Sequence, residues 1–408
     1  MGKLIRVLLA ALLSAFAVSS LLRFHAPVQG AHRQLAHLRA ALDGGAGEGA
    51  QALFPEGYFF SYVLYGLAWV DEGRRAADKG EAVREVRWAL ARLDGPEGTA
   101  PFSEGLAPRY GVFYAGWTNW LRGGLLGLQR DPAEAERYER ESRDIAAAFE
   151  QSSSPFLQAY PGQSWPVDST VAIASLARHD RLFPAAYAGT VRQWLDRVRQ
   201  RLDPATGLLP HVTDPATGAP LQGARGSSQS VILRFLADVD AGFAREQYLR
   251  FRDLFVDRPL HLGPAVREYP KGTGGVADVD SGPLPLGISF SATVVTIGAA
   301  RVNGDGALAG ALASYGELAG VPISTWHTKR YALGLLPIGD AFLVWSNTAE
   351  ERPTGVASDV GPLWKVPLTL VLLLLAVGPW LRKPQRRQQQ PDRPDEGRVV
   401  EPVVPERL

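Results

Sequence analysis

Hydrophobic positions along the chain define two alternating kinds of segment. Long segments that are apolar on nearly every face alternate with segments whose apolar residues recur every three or four positions. The first kind is typical of helices surrounded by other helices, and the second of helices with one face in water. Five such pairs follow one another, at 53–73 with 81–93, 109–129 with 131–151, 168–180 with 184–202, 228–240 with 244–256, and 284–302 with 305–318. We therefore predict an all-α fold, an (α/α)6 toroid in which an outer ring of helices encloses an inner one.

One segment departs from this helical pattern. Residues 203–223 contain the sequence DPATG twice, beginning at Asp203 and at Asp214. Asp-Pro followed by glycine is typical of turns. The stretches beside these turns have the length of short strands. We predict a small irregular hairpin that lies over one end of the toroid.

Two uninterrupted apolar runs flank the helical pairs, at residues 4–22 and 366–381. Each approaches the roughly 20 residues that a helix needs to cross a bilayer. Lys3 and Arg6 accompany the first run, and the basic stretch 382–387 follows the second. Because such positive charge stays cytoplasmic, we expect two transmembrane helices in the cell membrane, with both termini cytoplasmic and the main domain on the periplasmic side. A cleaved signal peptide is the alternative for the first run.

These elements divide the chain into four predicted parts. They are an N-terminal transmembrane helix (1–24), an extracytoplasmic toroid (25–355), a C-terminal transmembrane helix (361–381) and a cytoplasmic tail (382–408). The tail is rich in Gln, Pro and charged residues. Such a composition cannot bury enough apolar surface to fold, so we expect the tail to be disordered.

Composition and motifs exclude several classes of function. The 43 basic and 42 acidic residues give a net charge of +1, and no basic surface for nucleic acid is indicated. The chain has no cysteine, which excludes disulfides, thiol nucleophiles and cysteine zinc sites. It also has no nucleophile elbow, zinc-protease, Walker or dinucleotide-binding motif. We predict no cofactor, no metal ion and no nucleic-acid partner.

Candidate chemistry lies where loops enter the inner helices, because these entries gather at one mouth of the ring, where a ligand cavity is expected. Asp168 lies at one entry, and Asp278 and Asp280 lie at another. Carboxyl groups facing each other across a cavity can act as general acid and general base. Helix capping is the alternative for Asp168 and Asp280, and a simple turn is the alternative for Asp278.

Aromatic and polar side chains accompany the same entries. We predict that they line the cavity and contact the substrate: Tyr114, Trp117, Tyr160, Trp165, His211 and Arg225. Ordinary core packing is the alternative for the aromatic residues. A solvated loop position is the alternative for His211, and an ion pair with a neighbouring acid is the alternative for Arg225.

The central stretch resembles the linalool dehydratase/isomerase family. The resemblance is carried by residues 187–226, where an amphipathic helix containing W-L-D, a D-P-x-x-G turn, a hairpin with a histidine and a second turn follow in the family's order. It extends over roughly residues 50–320. The resemblance implies an α/α toroid, a cofactor-free lyase or isomerase that acts on small alcohols, and a homo-oligomer.

The chain departs from that family at the positions of its active-site residues. Ala159 and Asp168 stand where the family has cysteines, and Trp117 stands in place of a histidine. Ser227 and Val231 replace a tyrosine and a tryptophan. The resemblance therefore implies the scaffold and not the terpene chemistry, and it makes Asp168 the candidate for a different acid/base role.

A second, weaker likeness is to α/α-toroid glycoside hydrolases that act on unsaturated uronic sugars. WPVDSTVAIASLA (165–177) resembles their Trp-Val-Asp helix entry, which implies that Asp168 is the general acid/base. Four functions remain open. They are a lyase or isomerase acting on a small apolar alcohol or a glycan, an inverting-type glycoside hydrolase, a non-catalytic glycan- or lipid-binding module near the membrane, and an assembly protein.

Overall fold

The computed structural model describes residues 2–353, 356–357, 360–361 and 363–381. The predicted tail, 382–408, lies outside the described residues. The described helices are α1 (Gly2–His25), α2 (Ala31–Asp43), α3 (Ala46–Gln51), α4 (Gly57–Arg75), α5 (Gly80–Leu93), α6 (Pro96–Thr99), α7 (Gly111–Leu128), α8 (Pro132–Gln151), α9 (Pro166–Leu182), α10 (Ala188–Arg199), α11 (Gly226–Leu236), α12 (Ala241–Phe255), α13 (Phe290–Val302), α14 (Gly306–Ala319), α15 (Pro337–Thr348) and α16 (Val366–Leu381). Short antiparallel strands form the pairs β1 (Val212–Thr213) with β2 (Pro220–Gln222), β3 (Val256–Asp257) with β4 (Ala265–Val266), and β5 (Ile323–Ser324) with β6 (Lys329–Arg330).

The inner ring is closed and consists of α4, α7, α9, α11, α13 and α15, each in contact with the next, with α15 returning to α4. The outer ring consists of α5, α8, α10, α12, α14 and α2, and each outer helix packs mainly against one inner helix, with α5, α8 and α2 also contacting a second. This arrangement confirms the predicted all-α (α/α)6 toroid. The five predicted pairs are present, because apolar residues on most faces place a helix inside and a single apolar stripe places it outside.

The sixth pair joins the two ends of the toroid. It consists of α2 and α15, and sequence analysis did not identify it. The amide of Gln34 donates hydrogen bonds to the side chain of Asp340 at 2.8 Å and to its backbone carbonyl at 3.0 Å. Both residues are buried, and 306 positions separate them in sequence.

Aromatic side chains fill the middle of the inner ring. Trp117 packs edge-on against Phe235 and Trp345, with ring centroids 5.0 and 5.9 Å apart, and against Phe60 at 5.7 Å. Large apolar rings at these inward positions bury apolar surface that an open centre would expose to water. The filled centre separates the N-terminal end of the inner ring from its C-terminal end.

The predicted hairpin is present as β1 and β2. It lies against the loop ahead of α9, because the Thr213 amide donates to the Ser164 carbonyl at 3.0 Å. The hairpin therefore stands over the N-terminal end of the inner ring. This position brings the segment containing His211 close to the start of α9.

A buried arginine fixes α7 between α5 and α8. The Arg122 side chain has no exposed surface and forms salt bridges with Asp94 at 3.0 Å, Glu134 at 2.8 Å and Glu141 at 2.9 Å. Several donors of one guanidinium are thus paired with acids from neighbouring elements. The cluster holds α7 in the orientation that turns Trp117 toward the centre.

Two apolar helices pack together outside the toroid. Within the described residues, only α1 contains a stretch long and apolar enough to cross a membrane, the 22 residues Leu4–His25. The second predicted span, α16, is apolar but has 16 residues. Ser14 of α1 donates to the Ala376 carbonyl at 2.6 Å and accepts from the Trp380 indole at 2.8 Å. The two helices therefore form one hydrogen-bonded pair.

Candidate active site

Asp168 is a buried acid at the N-terminal end of the inner ring. It is the third residue of α9, whose cap position is occupied by Trp165 without a side-chain cap, so the capping alternative for Asp168 is not adopted. The residue is 5% exposed. No residue that the structure describes forms a hydrogen bond with its carboxyl group. A buried carboxyl without such partners is costly to ionise.

The surroundings of Asp168 favour its neutral form. Burial raises its pKa well above the ordinary value, and the nearby carboxylates of Glu56 and Asp280 raise it further. Desolvation and like charge both disfavour ionisation, so they act in the same direction here. These surroundings therefore favour the protonated form of Asp168, the form that a general acid needs.

Glu56 belongs to this group but was not among the predicted site residues. It directly precedes α4 and is half-buried. Its carboxylate accepts a hydrogen bond from the hydroxyl of Tyr160. Tyr160 stacks on Phe102 and meets Trp165 edge to face at 6.1 Å. The signal that could have found Glu56 is its place at the entry of the first inner helix, the same kind of position that identified Asp168.

Asp280 provides a carboxyl group with a different pKa. Loss of hydration raises its pKa to about 6, with a further contribution from the negative charge of Asp278. The Asp280 residue itself is exposed to solvent. The capping alternative is not adopted for Asp280 either. Ser289 caps α13, accepting a hydrogen bond from the Ala292 amide at 3.2 Å.

Asp278 is held in an ion pair with Arg225. The two side chains meet at 2.5 Å, and Asp278 also accepts the Ser281 amide at 3.0 Å in a turn. Burial opposes ionisation of Asp278, but Arg225 and the Ser281 amide outweigh it and lower its pKa to about 2. Arg225 binds Glu268, which is fully buried, at 2.7 Å on its other side. Asp278 is therefore a permanent anion, and the ion-pair alternative for Arg225 is the one the structure adopts.

His211 is buried, not solvated as the alternative interpretation had it. It is 5% exposed, its Nδ1 is hydrogen-bonded to the Ser228 hydroxyl, and its Nε2 lies 3.4 Å from Arg225. Burial lowers the pKa of His211 to about 4, and the positive charge of Arg225 lowers it in the same direction. The imidazole is therefore neutral at pH 7, and it belongs to the polar cluster around Arg225.

Two predicted residues lie elsewhere. The Tyr114 hydroxyl donates to the Leu93 carbonyl at 3.2 Å, beside the Arg122 cluster, and Trp117 is buried in the aromatic centre. The structure brings the other predicted residues to the N-terminal end of the ring: Asp168, Asp278, Asp280, Tyr160, Trp165, His211 and Arg225. Within the described part of the chain, no three His, Asp or Glu side chains are grouped as a metal site.

Comparison with known proteins supports the fold alone. No protein-family model and no curated protein matches the chain. Among solved structures, an unsaturated glucuronyl hydrolase specific for heparin is similar, with 12% identity, a TM-score of 0.51, and coverage of 78% of this chain and 94% of that one. An unsaturated glucuronyl hydrolase responsible for glycosaminoglycan degradation in Bacillus sp. GL1 has 13% identity, a TM-score of 0.43, and coverage of 70% and 84%. The chain thus has the α/α-toroid architecture that is also found in glycoside hydrolases.

Proposed function

We propose that the protein is a membrane-anchored enzyme of the glycoside-hydrolase type, in which carboxyl groups at the N-terminal end of the inner ring cleave a glycan without a cofactor. The observation that carries this proposal is the buried, unpaired carboxyl of Asp168 beside Glu56 and Asp280. Acid/base catalysis uses acidic groups whose surroundings give them different pKa values, so that one stays protonated while another is ionised. The similarity of the fold to the heparin-specific hydrolase agrees with it.

The roles follow from the protonation states. Asp168, whose surroundings favour the protonated form, donates its proton to the oxygen of the leaving group. Asp280 is largely ionised at that pH, because its pKa is about 6, and its carboxylate accepts a proton from the attacking water. Such a pair is the arrangement of an inverting glycoside hydrolase. Glu56 is the other carboxylate near Asp168, and it is the alternative base.

The remaining side chains would bind and orient the sugar. Trp165 and Tyr160 are half-buried and meet edge to face, so each ring keeps a surface on which a sugar ring can pack. The Nη2 donor of Arg225 has no hydrogen-bond partner among the described residues. Since Asp278 and Glu268 hold this guanidinium in place, it is the group we assign to an acidic substituent of the substrate.

The domain boundaries are part of the same proposal. The packing of α16 on α1 supports a double anchor, with residues 25–355 as the extracytoplasmic toroid and 361–381 as the second span. The cell-membrane location and the cytoplasmic position of both termini rest on the basic residues that flank the two runs.

The test is a screen of the purified, detergent-solubilised chain against acidic and neutral oligosaccharides, with release of reducing ends as the readout. Asp168→Asn removes the proposed acid, and Asp196→Asn changes an exposed aspartate on the outer helix α10 as the matched control. We expect turnover by the wild type and by Asp196→Asn, and a loss of about 10²–10⁴-fold for Asp168→Asn. Full activity of Asp168→Asn would refute the assignment.

A lyase or isomerase is the second candidate, in line with the resemblance to the linalool dehydratase/isomerase family. A neutral carboxyl such as Asp168 can protonate a departing hydroxyl as well as a glycosidic oxygen. Terpene alcohols in the same screen distinguish the two, because dehydration yields an alkene and no new reducing end. Saturable glycan binding without turnover would instead indicate a binding module.

A further inference from the structure

A cavity opens at the C-terminal end of the inner ring, beyond the aromatic centre. Its volume is about 360 Å³, and its walls include the ends of α4, α7, α9 and α11. Trp120, Phe235 and Trp345 form an apolar surface on one side. The proposed catalytic residues do not line it, so it is a separate feature of the toroid.

Arginines dominate the polar part of this cavity. Four of them share two acids: Asp71 accepts from Arg234 at 3.0 Å and lies 3.6 Å from Arg74, whereas Asp238 pairs with Arg181 at 2.9 Å and with Arg352 at 2.8 Å. Two carboxylates for four guanidinium groups leave the positive charge only half compensated.

A fifth arginine has no acidic partner. Arg178 is 7% exposed and lines the cavity, yet no carboxylate of the described residues lies within 4 Å of it. One of its nitrogens donates to the Trp120 carbonyl at 2.8 Å, and the guanidinium lies 3.1 Å from the centre of the Trp120 ring. Burial lowers the pKa of Arg178 to about 9, and the charge of Arg74 acts in the same direction. At neutral pH Arg178 is therefore still a cation.

The excess of positive charge in the cavity is two. Glu350 at the exposed rim is the third carboxylate beside Asp71 and Asp238, and the arginines number five. A buried cation without a counter-ion is costly, and a bound anion would remove that cost.

We infer that this cavity binds a small organic molecule carrying a dianionic oxyanion, of which a phosphate monoester is the class that fits best. Guanidinium groups present forked donors that match the oxygens of such a group. A phosphate monoester carries about two negative charges at pH 7. The cavity volume lies within the range of small-molecule sites, and its aromatic side can pack against the organic part of the ester.

Binding is tested on the full chain in detergent by calorimetry and by thermal unfolding. The probes are inorganic phosphate, glucose 6-phosphate, glucose 6-sulfate and glucose, each at matched ionic strength with sodium chloride. We expect glucose 6-phosphate to bind saturably and raise Tm, glucose 6-sulfate to bind about tenfold more weakly, and glucose to have no effect. Equal binding of glucose 6-phosphate and glucose 6-sulfate would refute the preference for a dianion. No binding of either ester beyond the sodium chloride control would refute the proposal that the cavity is an anion-binding site.

Variants locate the binding. Arg178→Gln should weaken glucose 6-phosphate binding at least about tenfold, because it removes a charged donor. Arg74→Gln, at the partly exposed edge of the cavity, makes the same test if Arg178→Gln does not fold. Arg140→Gln, which changes a surface pair with Glu136, is the matched control and should bind normally. Asp168→Asn should also bind normally, and unchanged binding in both cavity variants would refute the site.

Discussion

The hydroxyl of Tyr160 donates a hydrogen bond to the carboxylate of Glu56, which lies 104 residues earlier in the chain. The contact joins the loop ahead of α9 to the start of α4 and holds a negative charge near Asp168. That charge is one of the reasons why the pKa of Asp168 is raised, second to burial. The protonation state of the proposed acid therefore depends on a neighbouring inner helix.

Removing the charge of Glu56 should change the pH dependence of activity. Glu56→Gln lowers the pKa of Asp168, so Asp168 loses its proton at a lower pH and the alkaline limb of kcat/KM moves to lower pH. The measurement is kcat/KM against pH on the substrate found in the screen. Glu136→Gln, on the exposed face of α8, should leave the profile unchanged. An unmoved alkaline limb in Glu56→Gln would show that Glu56 does not act on Asp168.

Asp168→Asn should make the protein more stable at alkaline pH. The folded-state pKa of Asp168 is raised above its unfolded value of about 3.9, so stability falls as the pH rises through the folded pKa. Asparagine has no such charge to bury. We expect a higher Tm for Asp168→Asn than for the wild type at alkaline pH, and no difference below about pH 4. A Tm that falls equally at every pH would mean that the carboxyl makes stabilising contacts.

The acid limb of the pH profile should belong to Asp280. Its pKa of about 6 predicts that kcat/KM rises with pH through this value as the carboxylate forms. Asp280→Asn should lower activity by about 10²–10⁴-fold and remove that limb from the remaining activity. Kinetics from pH 4 to 9 test this. If the acid limb persists in Asp280→Asn and disappears in Glu56→Gln, Glu56 is the base.

Arg122 should be among the most sensitive positions for stability. Arg122→Ala removes the fully buried cation that Asp94, Glu134 and Glu141 share, leaving only Arg137 beside Asp94 and Glu141, and should cost about 3–5 kcal/mol of unfolding free energy. Arg140→Ala, which breaks an exposed pair, should cost about 0–1 kcal/mol. Thermal or denaturant unfolding in detergent distinguishes the two. Similar losses of unfolding free energy for both variants would show that burial does not make the Arg122 ion pairs more important for stability than the exposed one.

Membrane topology is testable with terminal reporters. With α1 and α16 both crossing the bilayer, a green fluorescent protein fused to the C-terminus stays cytoplasmic and fluoresces. An alkaline phosphatase fused there remains inactive. An N-terminal tag should be retained on the mature chain. Loss of the tag would instead indicate that α1 is a cleaved signal peptide.

The helical pairs could be predicted because their signal is local. Apolar periodicity within α5 or α8 is enough to assign an outer helix, and the repeated DPATG turn was enough to place the hairpin. The sixth pair was missed because its two helices, α2 and α15, do not follow one another in the sequence but stand at opposite ends of the toroid segment. No local sequence pattern indicates that α2 and α15 are in contact.

The candidate site was predictable where it depended on position along a helix. Asp168 follows from the rule that loops entering inner helices meet at one end. Tyr114 and Trp117 were misplaced because α7 is apolar on nearly every face, so its sequence does not show which side turns inward. Glu56 and Glu268 act through residues distant in sequence, Tyr160 and Arg225 respectively. Their contributions are therefore visible only in three dimensions.

The pairing of α2 with α15 also constrains how the molecule can be made. Gln34 emerges early in translation, but its partner Asp340 is added more than 300 residues later. Until then α2 has only α4 among the inner helices to pack against, and the inner ring remains open between α13 and α4. During translation the five helical pairs whose members are consecutive in the sequence can fold in order. The sixth pair, however, can form only after α15 has been synthesised, and α16, which follows it, packs against α1 at the other end of the chain.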